Sequence, residues 1–278
     1  MTTRKTAKKE AEESTEVAVV EQGSTDLAAW GDFSGKTGLE DIGANELAIP
    51  FINVLQSNSE MVEDGKAQAG QFHNTVMDTV TDDLVFIPCA RDYKFIEWVP
   101  HDDGGGLVGI HEPNSSVVAT AKEKAEEEGR SLFELKTGEN DAHDLVETYS
   151  LFCLIVDDDG NTSRAVISFS STKIKKYRDL MTKISNQMAE KNGHKFVLPM
   201  WAHKFRMTTE QETSKRNGKK FYNVNIQFDG GSAAAARLSP TSALAAEAAE
   251  FFNMVDAGEA KADMTTAENA ASSSEVPF

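Results

Sequence analysis

The chain has 278 residues, enough for one large domain or two small ones, and its hydrophobic fraction of 40% permits a substantial core. A formal net charge of −17 excludes a uniformly basic protein. No apolar run approaches the roughly 20 residues that span a membrane, and residues 1–13 lack a signal-peptide segment. We therefore expect a soluble protein of the cytoplasm, the host cytoplasm if the chain is viral.

The two ends of the chain have the composition of disordered segments. Residues 1–45 are rich in Glu, Thr, Ser, Ala and Gly, and residues 256–278 in Ala, Glu, Ser, Thr and Asp. Such segments bury too little apolar surface to offset the entropy of ordering. The sequence therefore predicts a globular core over 46–255 between a disordered N-terminal segment and a disordered acidic C-terminal tail.

Strands dominate the first half of the predicted core. Order begins near the apolar run 47–55, and short β-rich runs follow at 84–89 and 93–99. The glycine loop 104–106 comes next, and 115–129 reads as a solvated helix. Each of the two cysteines, Cys89 and Cys153, lies in an apolar run, so we expect buried thiols and no disulfide framework.

The second half contains a better-defined unit. Strands are predicted at 147–156 and 164–169 around the turn 157–161, followed by a helix from Ser171 or Thr172 to about Glu190. The helix has one apolar face at helical spacing: Ile174, Tyr177, Met181, Ile184 and Met188. Strands at 201–208 and 219–228 then form a hairpin, and a last helix starts at Ser239-Pro240.

This order of elements favours an α+β fold, mainly antiparallel β. The expected architecture is an OB-like barrel or an open sheet, with peripheral helices and disordered termini. Whether 46–145 forms a separate domain or completes the same sheet stays open at this point.

The charges are segregated along the chain. Residues 1–160 hold 12 Lys+Arg against 33 Asp+Glu, and residues 229–278 hold 2 against 8. Residues 161–228 hold 14 against 4, a balance of +10. A clustered basic surface is the electrostatic signature of phosphate binding, so this segment is the candidate nucleic-acid interface.

The predicted hairpin supplies the strongest candidate surface. If its alternating apolar residues face the core, the outer face carries cations and amides around an exposed aromatic ring, which is the chemistry of single-strand binding. The residues of this face are Lys204, Arg206, Lys219, Asn223, Asn225 and Phe221. An ordinary solvated sheet face with one stray aromatic residue is the alternative.

Three further basic clusters extend the candidate site. The first turns of the predicted helix hold Lys173, Lys175, Lys176 and Arg178, which oppose the helix dipole. The hairpin loop holds Lys215 and Arg216 and leads into Lys219 and Lys220. In the strand 93–99, either Tyr93 with Phe95 or Lys94 with Trp98 could contact bases, although core packing is the favoured interpretation of these residues.

The C-terminus carries the most specific short motif, Glu275-Val276-Pro277-Phe278. An acidic tail ending this way resembles the tip of bacterial single-stranded DNA-binding proteins, which docks on replication and repair enzymes. The stretch from Ile49-Pro50-Phe51 through Glu97-Trp98-Val99-Pro100 to 104–106 resembles proteins encoded beside replication genes in tailed phages. These resemblances imply a phage single-stranded DNA-binding protein whose tail recruits replication or recombination proteins.

Catalytic and cofactor signatures were sought as well. The sequence has no phosphate-binding Gly-Lys-Ser/Thr loop, no dinucleotide fingerprint and no zinc-ligand spacing, so we expect neither an enzyme nor a cofactor. A nuclease-type metal site around His101, Asp102, Asp103 and His111 is a weaker hypothesis. A phage interaction or virion protein without a nucleic-acid role is the main alternative, and homo-oligomerisation and the choice between DNA and RNA stay open.

Overall fold

The computed structural model describes residues 48–100, 103–215, 218–262 and 264, all within a single compact unit. Its largest element is a seven-stranded sheet in the order β12-β11-β4-β7-β6, with β5 beside β4 and β8 beside β7. Every strand pair in it is antiparallel, and the sheet is open, which confirms the predicted α+β class and its open-sheet form. Smaller sheets are formed by β1-β2-β3 and by β9-β10.

The strands are β1 Ile52–Val54, β2 Phe72–Asn74, β3 Thr79–Thr81, β4 Leu84–Trp98, β5 Leu107–His111, β6 Leu135–Thr137, β7 His143–Val156, β8 Thr162–Ser170, β9 Met188–Lys191, β10 His194–Val197, β11 Phe205–Thr213 and β12 Lys220–Phe228. The helices are α1 Glu60–Glu63, α2 Ser116–Glu127, α3 Lys173–Ser185, α4 Ala233–Ala236 and α5 Ala243–Asp256. Short 3₁₀ turns occur at Glu139–Asp141, Met200–Ala202 and Asp229–Gly231.

Two long central strands organise the sheet. Strand β4 is continuous over the two runs predicted at 84–89 and 93–99, because a register shift between Pro88 and Ala90 absorbs the proline within one strand. It pairs with β7 from Val85 opposite Val156 to Trp98 opposite Asp144. Residues on both sides of position 145 therefore belong to one sheet.

Apolar clusters lie on both faces of this sheet. On one face α3 packs Tyr177, Leu180 and Ile184 onto β7, β8 and the β11–β12 hairpin. On the opposite face α5 packs Ala248 and Phe251 onto β4 and β7. Cys153 belongs to the first cluster and Cys89 to the second, and both are buried and free, as predicted.

Backbone and side-chain groups from outside the sheet cover its two outer strands, β8 and β12. Beside β8, Val166 N donates to Pro50 O at 2.8 Å, with a parallel bridge between Phe51 and Val166. Beside β12, the Gln56 amide acts like a peptide group, since its Nε2 donates to Tyr222 O (3.0 Å) and its Oε1 accepts from Tyr222 N (2.8 Å). Lys183 Nζ also donates to the β12 carbonyl of Ile226.

Several boundaries differ from the sequence predictions. Helix α3 ends at Ser185 rather than near Glu190, and α5 begins after Ser242, whose Oγ accepts from Ala245 N. In the segment predicted as tail, Ala260 and Met264 are buried in the α5 cluster. Residues 1–45 and 265–278, including the predicted disordered N-terminal segment and the C-terminal tip, lie outside the described residues. Within the described residues, no helix is long and apolar enough to cross a membrane.

Candidate nucleic-acid interface

The β11–β12 hairpin, called here the long hairpin, turns its alternating apolar residues towards the core, as predicted. Phe205 and Met207 on β11 are buried, as are Val224 and Ile226 on β12. Strand β11 begins at Phe205 and not at 201, because 200–202 form a 3₁₀ turn, and it extends to Thr213. The loop between Thr213 and Lys220 is therefore shorter than the strands predicted at 201–208 and 219–228 imply.

At the end of the long hairpin away from its loop, acidic side chains neutralise the positive charges of the outer face. Lys204 Nζ lies 3.3 Å from Asp229 Oδ2, and Arg206 Nε lies 3.3 Å from Asp229 Oδ1. Arg206 also pairs with Asp83, and this hydrogen bond raises the pKa of the guanidinium. Lys204 and Arg206, which were predicted to bind phosphate, are thus already paired with carboxylates of the protein.

Asn223 was expected on this exposed face, but it is buried. Its Nδ2 donates to Glu212 Oε2 at 3.2 Å, and its Oδ1 accepts from the Val224 amide. Because both polar atoms have partners inside the protein, Asn223 positions Glu212 and is not presented to a ligand.

The far end of the long hairpin is different, because helix α3 brings a second set of cations to it. Lys176 Nζ lies 2.6 Å from Glu210 Oε1 and 3.0 Å from Glu212 Oε1. Glu212 is directly opposite Phe221, one residue pair from the loop. The first turn of α3 therefore lies beside the loop end of the hairpin.

Six lysines belong to the first turn of α3 or to the loop end of the long hairpin, and together they are called the lysine cluster: Lys173, Lys175, Lys176, Lys215, Lys219 and Lys220. The side chains of Lys175, Lys215 and Lys220 are exposed. Lys173 is half-buried and has no hydrogen-bond or ion-pair partner among the described residues, and burial lowers its pKa to about 8. Phe221, also half-buried, follows Lys220 directly, and Arg216 lies outside the described residues.

Arg178 and Tyr93 belong to a neighbouring tyrosine stack. The ring centroids of Tyr93 and Tyr149 are 4.5 Å apart and those of Tyr149 and Tyr177 are 4.4 Å apart. The hydroxyls of Tyr93 and Tyr149 donate to Glu147 Oε1, 3.9 Å from Arg178 Nη2. Burial and the Glu147 carboxylate raise the pKa of Tyr93, and this stack occupies one face of its ring.

Lys94 lies apart from both groups. Its ammonium is 2.6 Å from Glu112 Oε1 and 3.3 Å from Asp92 Oδ1. The structure therefore places the first turn of α3 beside the loop end of the long hairpin, whereas Lys204, Arg206 and Lys94 are paired elsewhere.

A second hairpin, β9–β10, was missed by the sequence analysis, which assigned its first residues to a helix. We call it the short hairpin. Its turn residues Asn192 (φ +55°) and Gly193 (φ +79°) both adopt positive φ, and an Asn-Gly pair is a strong hairpin signal. That dipeptide could have revealed it. Met188, predicted on the apolar helix face, is 51% exposed here.

The proposed metal site is not assembled in the described residues. His101 and Asp102 lie outside them, and His111 Nε2 instead pairs with Glu97 Oε2 at 2.7 Å. His143 Nδ1 lies 2.7 Å from Glu97 Oε1. Burial opposes ionisation of this carboxylate, but the two histidine hydrogen bonds outweigh burial and lower the pKa of Glu97. Among the residues that the structure describes, no group of three or more His, Cys, Asp or Glu could hold a metal ion.

Comparison with known families places the chain among bacteriophage proteins. The model for Pam3 phage gp34-like proteins matches residues 15–261, most of the chain. The chain belongs to this family. No curated protein and no solved structure matches it significantly. The family name states no activity.

Proposed function

We propose that the protein is a sequence-tolerant single-stranded DNA-binding protein of phage replication or recombination, with the lysine cluster as its principal DNA contact. The observation that carries this proposal is the double ion pair of Lys176 with Glu210 and Glu212. It joins two basic segments separated by some 40 residues of sequence into one surface.

The electrostatics of this surface support an anionic ligand. Its two nearest carboxylates, on Glu210 and Glu212, are already engaged by Lys176. Lys173, Lys175, Lys215 and Lys220 have no ion pair among the described residues and are available to an external partner. Lysine side chains bind phosphates as point charges, and each phosphate that they neutralise releases condensed counterions.

An aromatic ring within the cluster favours a single strand over a duplex. Phe221 follows Lys220 on β12 and is half-exposed. Unpaired bases can stack on such a ring, whereas the paired bases of a duplex present only their edges in the grooves. Cations with one aromatic plane give affinity without sequence specificity.

The test is fluorescence anisotropy of labelled poly-dT and of a matched duplex across a salt series. Four phosphate contacts predict a log–log salt slope of roughly −3 on the single strand, and weak binding to the duplex. The variant Lys175→Ala, Lys215→Ala, Lys220→Ala should reduce the magnitude of the slope by about 2. The control Lys66→Ala, Lys124→Ala, Lys261→Ala changes the charge equally on other surfaces and should leave the slope intact. Absence of binding by the wild type at low salt would rule out the proposal and favour an interaction or virion protein.

The acidic tail gives the proposal a regulatory part. Glu275, Val276, Pro277 and Phe278 would recruit partner proteins, and the tail would compete with DNA for the lysine cluster. A deletion that tests this must begin after Met264, because Ala260 and Met264 are packed in the core. Removing 266–278 should tighten DNA binding, most clearly at low salt, where charges are least screened. Equal affinities of the full chain and the truncated form would contradict this competition.

A further inference from the structure

The short hairpin is exposed on both faces. Its two strands pair only with each other among the described residues, with Phe196 opposite Ala189 and His194 opposite Lys191. All residues of β10 are exposed, as are three of the four in β9. The amide of Leu198 donates to Gln187 O at 2.8 Å and closes the base of the hairpin directly after α3.

This exposure includes large apolar side chains. Met188 is 51%, Phe196 45% and Val197 54% exposed. Two-stranded hairpins without a buried face are marginally stable in water, and grouped exposed apolar residues usually mark a binding site. The short hairpin therefore has the features of an arm that gains contacts when a partner is bound.

The two faces differ in chemistry. Residues directly opposite in an antiparallel pair share a face. One face carries Met188 and Val197 together with Glu190 opposite Lys195. The other carries Phe196 with Lys191 and His194 and has no carboxylate. Lys191 and His194 form the pair next to the turn, and Phe196 lies on the same face two residues from His194. An aromatic ring with a lysine and an imidazole on one side of it matches a base and its neighbouring phosphate.

The short hairpin is also placed so that a DNA single strand bound at the lysine cluster could extend to it. Helix α3 has its first turn in that cluster and its last turn at the base of the short hairpin. Thirteen residues of helix span about 20 Å. The exposed side of α3 between the two sites carries Arg178, which is 60% exposed.

We propose that the short hairpin is a second nucleic-acid contact, in which Phe196 stacks on a base and Lys191 and His194 bind the neighbouring phosphate of the same single strand. This inference rests on the proposed function. It adds a site about one helix length from the lysine cluster, so only an oligonucleotide long enough to cover α3 reaches both.

The experiment measures Kd for labelled dT oligomers of increasing length with the full chain. Phe196→Ala should weaken binding of long oligomers about 5- to 150-fold, the range expected for one lost base stack, and leave the shortest bound oligomers unaffected. Phe196→Trp should retain the affinity, and its added fluorescence should be quenched by long dT. This variant separates loss of stacking from loss of hairpin structure. Val197→Ala, on the opposite face, is the matched control and should bind like the wild type.

The outcomes distinguish this inference from the proposed function. Salt-dependent binding by the wild type, with Phe196→Ala unchanged at every length and Phe196→Trp unquenched, would overturn the short-hairpin site alone. Failure of the wild type to bind any oligomer would overturn both. If Phe196→Ala instead shifted a monomer–dimer equilibrium in sedimentation and left DNA affinity unchanged, the short hairpin would be a contact between copies.

Discussion

Removing the negative charges from the lysine cluster should strengthen DNA binding. The perturbation is Glu210→Gln with Glu212→Gln, which releases Lys176 from both ion pairs. Glutamine at position 212 keeps a carbonyl oxygen for the Asn223 amide, so the buried hydrogen bond survives. The three side chains of the ion pairs are partly exposed, and each lost pair should cost only about 0.5 kcal/mol of stability.

The expected gain follows from counterion release. One more phosphate contact on a single strand changes log K by about 0.7 for each decade of salt. Relative to 1 M salt, binding at 0.1 M should therefore strengthen about fivefold, or about 1 kcal/mol. Loss of repulsion from two carboxylates adds to this value, so we expect a 5- to 20-fold lower Kd at 0.1 M, with a salt slope steeper by about 0.7.

The assay is anisotropy of labelled dT across salt, with thermal melts to check that the variant is folded. The matched control is Asp83→Asn with Asp229→Asn, which changes the charge equally and releases Arg206 and Lys204 at the other end of the long hairpin. This control should leave the affinity unchanged. An equal gain in both variants would refute a local site, and a gain in the control alone would move the site to the base of the hairpin.

Three further predictions concern stability. Phe251→Ala should lower the free energy of unfolding by about 3–5 kcal/mol in urea denaturation, because this ring is fully buried between Phe152 and Arg164; a smaller loss would mean that α5 is loosely packed. Lys173→Met should stabilise the protein by up to about 3 kcal/mol at pH 7, because partial burial lowers the pKa of its ammonium to about 8 from 10.5 when unfolded. That gain should disappear as pH rises from 8 towards 10.5, and a pH-independent gain in thermal melts would contradict this cause. Glu97→Gln should cost about 1–3 kcal/mol at neutral pH and less as pH falls below 4.5, since the folded pKa of Glu97 is lowered; an unchanged midpoint at pH 7 would argue against the histidine pairs.

Local periodicity predicted the fold well where one face of an element is buried. Alternation identified the inward residues of the long hairpin, and helical spacing identified Ile174, Tyr177 and Ile184 on α3. It failed at Met188, which falls at helical spacing although the helix has already ended. Spacing alone cannot show where a helix stops, whereas the Asn192-Gly193 turn does.

The candidate site was less predictable because its charges are balanced by distant partners. Sequence composition identified the basic segment, but Asp83 lies more than a hundred residues before Arg206 in the chain. The same tertiary folding that neutralises Arg206 brings Lys176 to the hairpin loop. Only the three-dimensional pairing decides which cations remain for a ligand, and one sequence carries no record of it.

The segment 50–56 has a consequence for aggregation. Pro50 accepts a hydrogen bond from the outer edge of β8, and the Gln56 side chain hydrogen-bonds with the backbone of β12 at the opposite edge of the sheet. Exposed strand edges recruit further strands from other molecules, and proteins avoid this by covering them. One stretch of seven residues thus protects two edges at once. A truncation that removes it would expose both edges, and the shortened chain would then assemble edge to edge with other copies.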